Sequence, residues 1–396
     1  MKSQFRGFLF EAKHRTGLLV AAATVAVFLY MGVGAVAQSK STLSALPPTP
    51  QAPKDNPTTP AKVALGRLLF WDPLLSGPQD VACASCHHPQ NGYAEDRDLS
   101  LGVTAIGLGS KRRQAPGSSI PIVKRNSPTV VNIAFSGSDE SGRYDPATAP
   151  MFWDLRVKSL EKQALEPLKA HEEMRGTTYP EDEAVASVVA KLQANAEYRS
   201  LFAGAFGSEQ PVNAENLGRA IAAFERTLLA NNSPFDRYMR GDRSAMTEEQ
   251  VSGMKRFESV GCVKCHSGPM FSDYKLHVMG VPDNPALPAS DDGAEKTYAF
   301  RTASLRNLTF TAPYEHNGMF RTLSDVVGFY EDARGGRSRN PNVSSEKLDP
   351  LIRELGDFDE EDVDLVEFLR ALSDDSFDKT IPERVPSGLP VGGRIQ

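Results

Sequence analysis

Cys83-Ala84-Ser85-Cys86-His87 and Cys262-Val263-Lys264-Cys265-His266 repeat one five-residue pattern and together use all four cysteines of this 396-residue chain. In Cys-x-x-Cys-His the two thiols can add to the vinyl groups of a haem while the histidine reaches its iron, so each pentapeptide reads as a c-type haem attachment site. A haem is a large apolar plate, and the chain must fold around two of them, with the motifs 179 residues apart. Other uses of the cysteines fit less well. A zinc site built from two Cys-x-x-Cys pairs has no need of a histidine after each. Two disulfides would close very short loops. A thioredoxin-like centre needs one motif in a βαβ setting.

The length suggests two or three domains at roughly 100–200 residues each. With 40% hydrophobic and 24% charged residues the chain has ordinary globular composition. Its formal net charge is −6, and without residues 1–37, which carry Lys2, Arg6, Lys13 and Arg15 against Glu11, it is −9. That is no footprint for nucleic acid; it favours a partner with a basic face. Residues 1–37 have a basic start, an apolar run from Leu18 to Tyr30 and an Ala35-Val36-Ala37 cleavage pattern, as an export signal does. The rival reading is a retained anchor, since Leu18–Ala37 approaches the ~20 residues that span a bilayer. Either way the remainder is expected in the periplasm, and at the membrane only if the segment is kept.

Residues 46–60 (LPPTPQAPKDNPTTP) read as an extended tether without a fold of its own. Segment 61–70 has helical spacing and stops at Trp71-Asp72-Pro73. From Pro89 to Pro150 the chain is rich in Gly, Ser, Pro and Asn, with little periodicity, and such a long loop is usually functional. Helices are expected over Glu181–Asn195, after Asn213 with Leu217, Ile221, Phe224 and Leu228 on one stripe, and after the capping boxes at Thr247 and Thr322. A last helix begins near Asp359 and carries Val363, Val366, Leu369 and Leu372. The expected class is mainly α, with two cytochrome c-like haem domains and long irregular loops. The divisions are signal segment 1–37, proline-rich linker 38–60, first haem domain 61–240, second haem domain 241–380 and tail 381–396.

Over roughly residues 60–375 the chain resembles the bacterial dihaem cytochrome c peroxidases, and within them the MauG-type enzymes. Beyond the two haem motifs, the resemblance rests on Leu69-Phe70-Trp71-Asp72-Pro73, Arg125-Asn126-Ser127-Pro128-Thr129, Phe152-Trp153-Asp154, and Leu305-Arg306-Asn307 with Thr311-Ala312-Pro313-Tyr314-Glu315-His316. It implies a peroxide-reacting haem on Cys83, Cys86 and His87, and an electron-storing haem on Cys262, Cys265 and His266. Trp153 matches the tryptophan between the haems; from spacing alone it reads as a core aromatic. Gln163, Pro167 and Glu173 match a family pattern ten, fourteen and twenty residues after that tryptophan. They give Glu173 the role of general acid–base and Gln163 that of its hydrogen-bond partner. Adjacent Glu172 reads as a solvated carboxylate. Asn126, Thr311 and Pro313 match a calcium site between the haems.

Two features point to the MauG-type subgroup. No histidine lies between Pro89 and Lys169, where peroxidases of small donors often keep a second ligand, and His88 is too tethered to its motif to serve. The first haem is therefore expected to be open at rest. Tyr330 stands fourteen residues after His316, where peroxidases often have a methionine and MauG-type proteins a tyrosine. A phenolate there favours oxidised iron, as a thioether does not. Met319 and Met279 are its rivals, and His277 reads as a surface residue. The family's glycine after Trp-Asp is Leu155 here, and the loop 136–149 is longer than usual. The expected activity is a peroxidase-like oxidoreductase in which hydrogen peroxide creates a high-valent dihaem state that oxidises a partner protein. The alternatives are a cytochrome c peroxidase fed by a small cytochrome or cupredoxin, and a non-catalytic electron carrier.

Overall fold

The computed structural model describes residues 42–207, 209–359 and 361–396, so the expected export segment lies outside the described residues. These residues belong to one compact unit, Ser41–Gln396. It is mainly helical: the only ladders among the described residues are three antiparallel pairs of two-residue strands. No described helix is long and apolar enough to cross a membrane.

One arrangement occurs twice. Helix α1 (Pro60–Trp71) precedes the first motif, whose turn is α2 (Cys83–Cys86), and a long helix, Ala214–Glu225, crosses α1. In the second half a 12-residue helix, Glu248–Ser259, precedes the second motif and is crossed by Val363–Arg370. Both crossings need a glycine. A Cβ on Gly66 would lie 2.0 Å from Ala220 O, and one on Gly253 would lie 1.8 Å from Asp364 O. The backbones meet where a side chain cannot fit. Between the first motif and Ala214 come the single turns α3 (Leu160–Gln163) and α4 (Glu166–Lys169), then α5 (Ala184–Ala194) and α6 (Ala196–Phe206). The crossing helix Ala214–Glu225 is α7, followed by α8 (Pro234–Met239), α9 (Glu248–Ser259), α10 (Leu323–Arg334) and α11 (Val363–Arg370).

Local signals set several boundaries. Asn213 caps α7, whose Leu217, Ile221 and Phe224, with Leu228 just beyond it, are at most 1% exposed. Thr247 with Gln250 and Thr322 with Asp325 close the boxes that open α9 and α10. Asn195 ends α5 and caps α6, a helix not expected from the spacing. The last helix starts later than Asp359, capped by Asp362. Val363 therefore falls on its first turn and is 65% exposed.

The proline-rich segment is extended but is no free tether. Leu43, Leu46 and Asn56 are buried. Its unpaired backbone groups find side chains from elsewhere: Leu46 N donates to Asp236 Oδ1 at 2.9 Å, Arg240 Nη2 to Leu46 O at 2.8 Å, and Asn231 Nδ2 to Pro47 O at 3.0 Å. Asp236 is also paired with the buried Arg306 at 2.8 Å, and Arg306 Nε donates to Pro269 O. The tail behaves similarly. Ser387 Oγ donates to Asp72 Oδ1 at 2.6 Å, and Ser85 Oγ, inside the first motif, donates to Gly392 O at 2.7 Å.

Candidate active site

Each motif closes on itself in the same way: His87 N donates to Cys83 O at 2.9 Å and His266 N to Cys262 O at 2.9 Å. Both histidine rings are also anchored alike, His87 Nδ1 on Tyr93 O at 3.1 Å and His266 Nδ1 on Phe271 O at 2.9 Å. A ring that donates from Nδ1 leaves the Nε2 lone pair for a metal. Burial lowers the proton affinity of both rings and pushes the Cys83 and Cys262 thiols up to about 12. Such a setting suits a neutral thioether and resists the thiolate that zinc requires. The donor set fits covalently held haem.

A cavity of about 250 Å³ lies against the second motif, lined by Cys262, Cys265 and His266 together with Tyr330 of α10. Phe257 and Leu365 from α9 and α11 make much of its wall apolar, as a haem needs. Of the rivals to Tyr330, Met279 shares the lining and Met319 does not. Burial raises the Tyr330 phenol, and the nearby Glu315 carboxyl raises it further. Glu315 is itself pushed up to about 7 by burial. His277 is a correction: it is 7% exposed, with Nδ1 on Asp349 Oδ2 at 2.7 Å and Nε2 on Asp273 Oδ2 at 3.2 Å. Hydrogen bonds to Asp273, to the Cys265 sulfur and to Asp349 raise its proton affinity against burial. Sequence position alone could not place the Asp349 partner.

Asn126, Thr311 and Pro313 line the same cavity. Asn126 Nδ2 donates to Arg97 O at 2.9 Å, which leaves its Oδ1 for another partner. An amide oxygen and two main-chain carbonyls are the donors a hard cation prefers. The same residue holds Trp153, whose Nε1 donates to Asn126 O at 3.1 Å. Trp153 is 8% exposed and meets His316 edge-on at 6.4 Å, and His316 stacks on Phe300 at 3.6 Å.

The turn that carries Trp153 has left-handed φ values at Phe152 (68°) and Leu155 (57°). Its Asp154 is fixed from both sides, by Arg125 Nη1 at 2.7 Å and Arg156 Nη1 at 2.8 Å. Arg125 grips Asp291 with its Nε and Nη2 at 2.6 and 3.0 Å, and that contact keeps the Asp291 carboxyl down at about 2 against burial. Leucine in a left-handed conformation carries a steric cost of about 1–2 kcal/mol. Leu155→Gly removes that cost and loosens the unfolded chain, so a net gain of up to about 1 kcal/mol is expected. Denaturant midpoints of the two proteins check it; a lower midpoint for the variant contradicts it.

Glu173 lies in a single π-helical turn, His171–Arg175. Main-chain contacts hold that turn against the loops flanking the first motif: Val103 N donates to Glu173 O at 2.9 Å and Gly77 N to Met174 O at 2.7 Å. A Cβ on Gly102 would lie 2.2 Å from the carbonyls of Glu172 and Glu173, so only glycine allows this approach. A polar cavity of about 220 Å³ opens here, lined by Phe152, Arg156, Pro167, His171, Glu172 and Glu173 among others. Burial, and then Glu172, push the Glu173 carboxyl up to about 7. Glu172, expected in solvent, is half-buried at the same cavity. Among the described residues no hydrogen bond joins Gln163 to Glu173; Gln163 ends the α3 turn, outside the cavity lining. His88, as its tether implies, is engaged elsewhere: its ring meets Trp71 edge-on at 5.5 Å and its Nδ1 accepts from Gln90 N.

Residues 60–244 match the family described as di-haem cytochrome c peroxidase. The chain is 34% identical to cytochrome-c peroxidase IdrP1 of Pseudomonas sp. strain SCT, over 90% of this chain and 91% of that protein. It is 35% identical to methylamine utilization protein MauG of Methylorubrum extorquens, over 84% and 83%. Its fold is similar to the crystal structure of a MauG-like protein associated with microbial copper homeostasis, with a TM-score of 0.66 and 27% identity over 84% of this chain and 95% of that one. The chain belongs to the dihaem cytochrome c peroxidase and MauG family. It is accordingly an oxidoreductase of the dihaem peroxidase type, with haem as its cofactor.

Four residues at these cavities were not singled out as functional from the sequence. His171 stands two residues before Glu173, just beyond the histidine-free run from Pro89 to Lys169. Arg156 follows the Trp-Asp pair at a distance a motif search could have included. Glu315 lies inside the Tyr314–His316 motif and could have been flagged as a buried charge. His277 has one partner, Asp273, four residues away that a charge-pair reading could have paired with it, while the other, Asp349, is 72 residues away.

Proposed function

We propose a periplasmic dihaem c-type enzyme that uses hydrogen peroxide to gather oxidising power across two haems and spends it on a partner protein, in the manner of the MauG-type enzymes. The observation that carries this reading is Glu173: a carboxyl pushed up to about 7, facing a polar cavity and clamped to the loops around the first motif. Bound at the two motifs, the haems would supply the one-electron steps and the store of oxidising equivalents. The remaining work belongs to side chains. Glu173 takes a proton from peroxide and returns it to the leaving oxygen, with its affinity for the proton tuned to neutral pH. Gln163 orients peroxide or Glu173 once the pocket is filled. Trp153, pinned by Asn126 and Arg125–Asp154, provides an aromatic stepping point between the two sites. Tyr330 would hold the haem at the His266 site together with that histidine. Asn126, Thr311 and Pro313 hold a calcium ion that stiffens the region around Trp153.

Support for an open first site comes from His88 being packed on Trp71, and from the lack of any histidine between Pro89 and Lys169. The second reading, reduction of peroxide by a small cytochrome c or cupredoxin, is favoured by the relatives named as cytochrome-c peroxidases. Steady-state turnover separates the two. Partner oxidation expects slow peroxide consumption with a reduced small donor. Fast, saturable consumption under those conditions would sink it in favour of the second reading. A pure electron carrier would not respond to peroxide at all.

A further inference from the structure

A carboxyl that must accept a proton and then give it back needs its charge state fixed by its surroundings. Desolvation favours the protonated form, and Glu172 and Glu166 push the same way. Left to these, Glu173 would keep its proton and could take none from peroxide. Four basic side chains border its cavity: Arg156, Lys169, His171 and Arg175. Lys169 Nζ is paired with Glu166 at 2.6 Å. Arg175 donates to two main-chain carbonyls, Lys169 O at 2.7 Å and Tyr179 O at 3.1 Å. His171 shares the π-turn with Glu173 itself, and Glu181 is the remaining acid at the rim.

Arg156 differs from these. Its guanidinium lies 3.8 Å from the centroid of the Phe152 ring. Only Nη1 is tied down, on Asp154 Oδ1 and Oδ2 at 2.8 and 3.0 Å, and Asp154 is fixed in turn by the buried Arg125. Among the described residues, Nε and Nη2 have no partner. From the rim of the same cavity its charge favours the Glu173 carboxylate, against burial, Glu172 and Glu166. A planar cation stacked on an aromatic face and clamped by a carboxylate keeps its charge in place better than a free lysine would.

We propose that Arg156 is a positioning residue for Glu173: held at the cavity rim by Asp154 and Phe152, it keeps the carboxylate available to accept the proton of hydrogen peroxide. This rests on the reading of Glu173 as the acid–base group. The step balances. One peroxide proton passes to the Glu173 carboxylate and on to the leaving oxygen, which departs as water with the electron pair of the broken O–O bond. The two electrons that reduce the other oxygen would be supplied by haem held at the two motifs.

The test uses the holoprotein and its Arg156→Gln, Arg156→Lys and Glu173→Gln variants. Arg156 is half-exposed, so the first two should fold. An infrared pH titration follows the protonated-carboxyl band that Glu173→Gln removes, and stopped-flow mixing with H2O2 gives the rate at each pH. Arg156→Gln should move the infrared midpoint up by about 1 in pH. Its rate should fall about fivefold at pH 7, approach a tenfold loss at lower pH and rejoin the wild-type rate at high pH, and Arg156→Lys should recover most of the loss. An unmoved midpoint, or an equal loss of rate at every pH, overturns the proposal. A midpoint that moves in a protein inert to H2O2 leaves Arg156 in its role and sinks the peroxidase reading instead.

Discussion

Glu173→Gln is expected to slow the reaction of the holoprotein with H2O2 by about 10²–10⁴-fold, the usual contribution of a positioned acid–base group. Glutamine keeps the shape of the side chain and the main-chain contacts to Val103 and the Gly102 approach are untouched, so the fold and both haem sites should persist. What is lost is the ability to carry a proton. The wild-type rate should rise with pH through about 7, because only the ionised carboxyl can accept a proton and burial places its midpoint there. The variant's rate should lack that rise. Stability moves the other way. A carboxyl whose folded-state proton affinity is raised stabilises the fold fully below about 4.5, and that contribution is lost as pH climbs through about 7. Glu173→Gln should therefore flatten the pH dependence of stability over that window. A variant as fast as wild type at every pH would remove Glu173 from the chemistry.

Tyr330→Phe should change the second site as completely as a single substitution can. On the proposed assignment, loss of the phenol oxygen would leave His266 as the remaining protein ligand for a haem held there. The low-spin ferric signal assigned to that site should disappear and its reduction potential rise, since a phenolate favours oxidised iron. Phenylalanine preserves the ring, so the apolar wall with Phe257 and Leu365 stays filled. An unchanged spectrum would reassign the ligand, and Met279, which lines the same cavity, is then the side chain to replace.

The parts of this architecture that were legible in the sequence are those fixed by neighbours along the chain. The boxes at Thr247 and Thr322 and the cap at Asn213 depend on contacts three residues apart, and each opens the helix expected of it. The parts that were not legible depend on distant partners. The segment 42–60 has a tether's composition, yet its free carbonyls and amides are met by Asn231, Asp236 and Arg240. His277 is buried between Asp273, four residues away, and Asp349, and only the first of these is near it in sequence. The site is intermediate. Cys83, Cys86, His87 and their second copies could be read from their own pattern, whereas Glu173, Trp153 and Tyr330 could be named only through resemblance. The left-handed turn at Leu155 and the rim position of Arg156 depend on how distant segments pack, and nothing in the local sequence announces them.

The most direct test is the low-temperature EPR spectrum of the resting, fully ferric holoprotein. An open haem at His87 beside a tyrosine-ligated haem at His266 predicts one high-spin and one low-spin signal in equal amounts, the second lost in Tyr330→Phe. Two low-spin signals with no high-spin component would mean that the first iron already holds a second protein ligand, with His171 the nearest suspect, and would contradict a site open to peroxide.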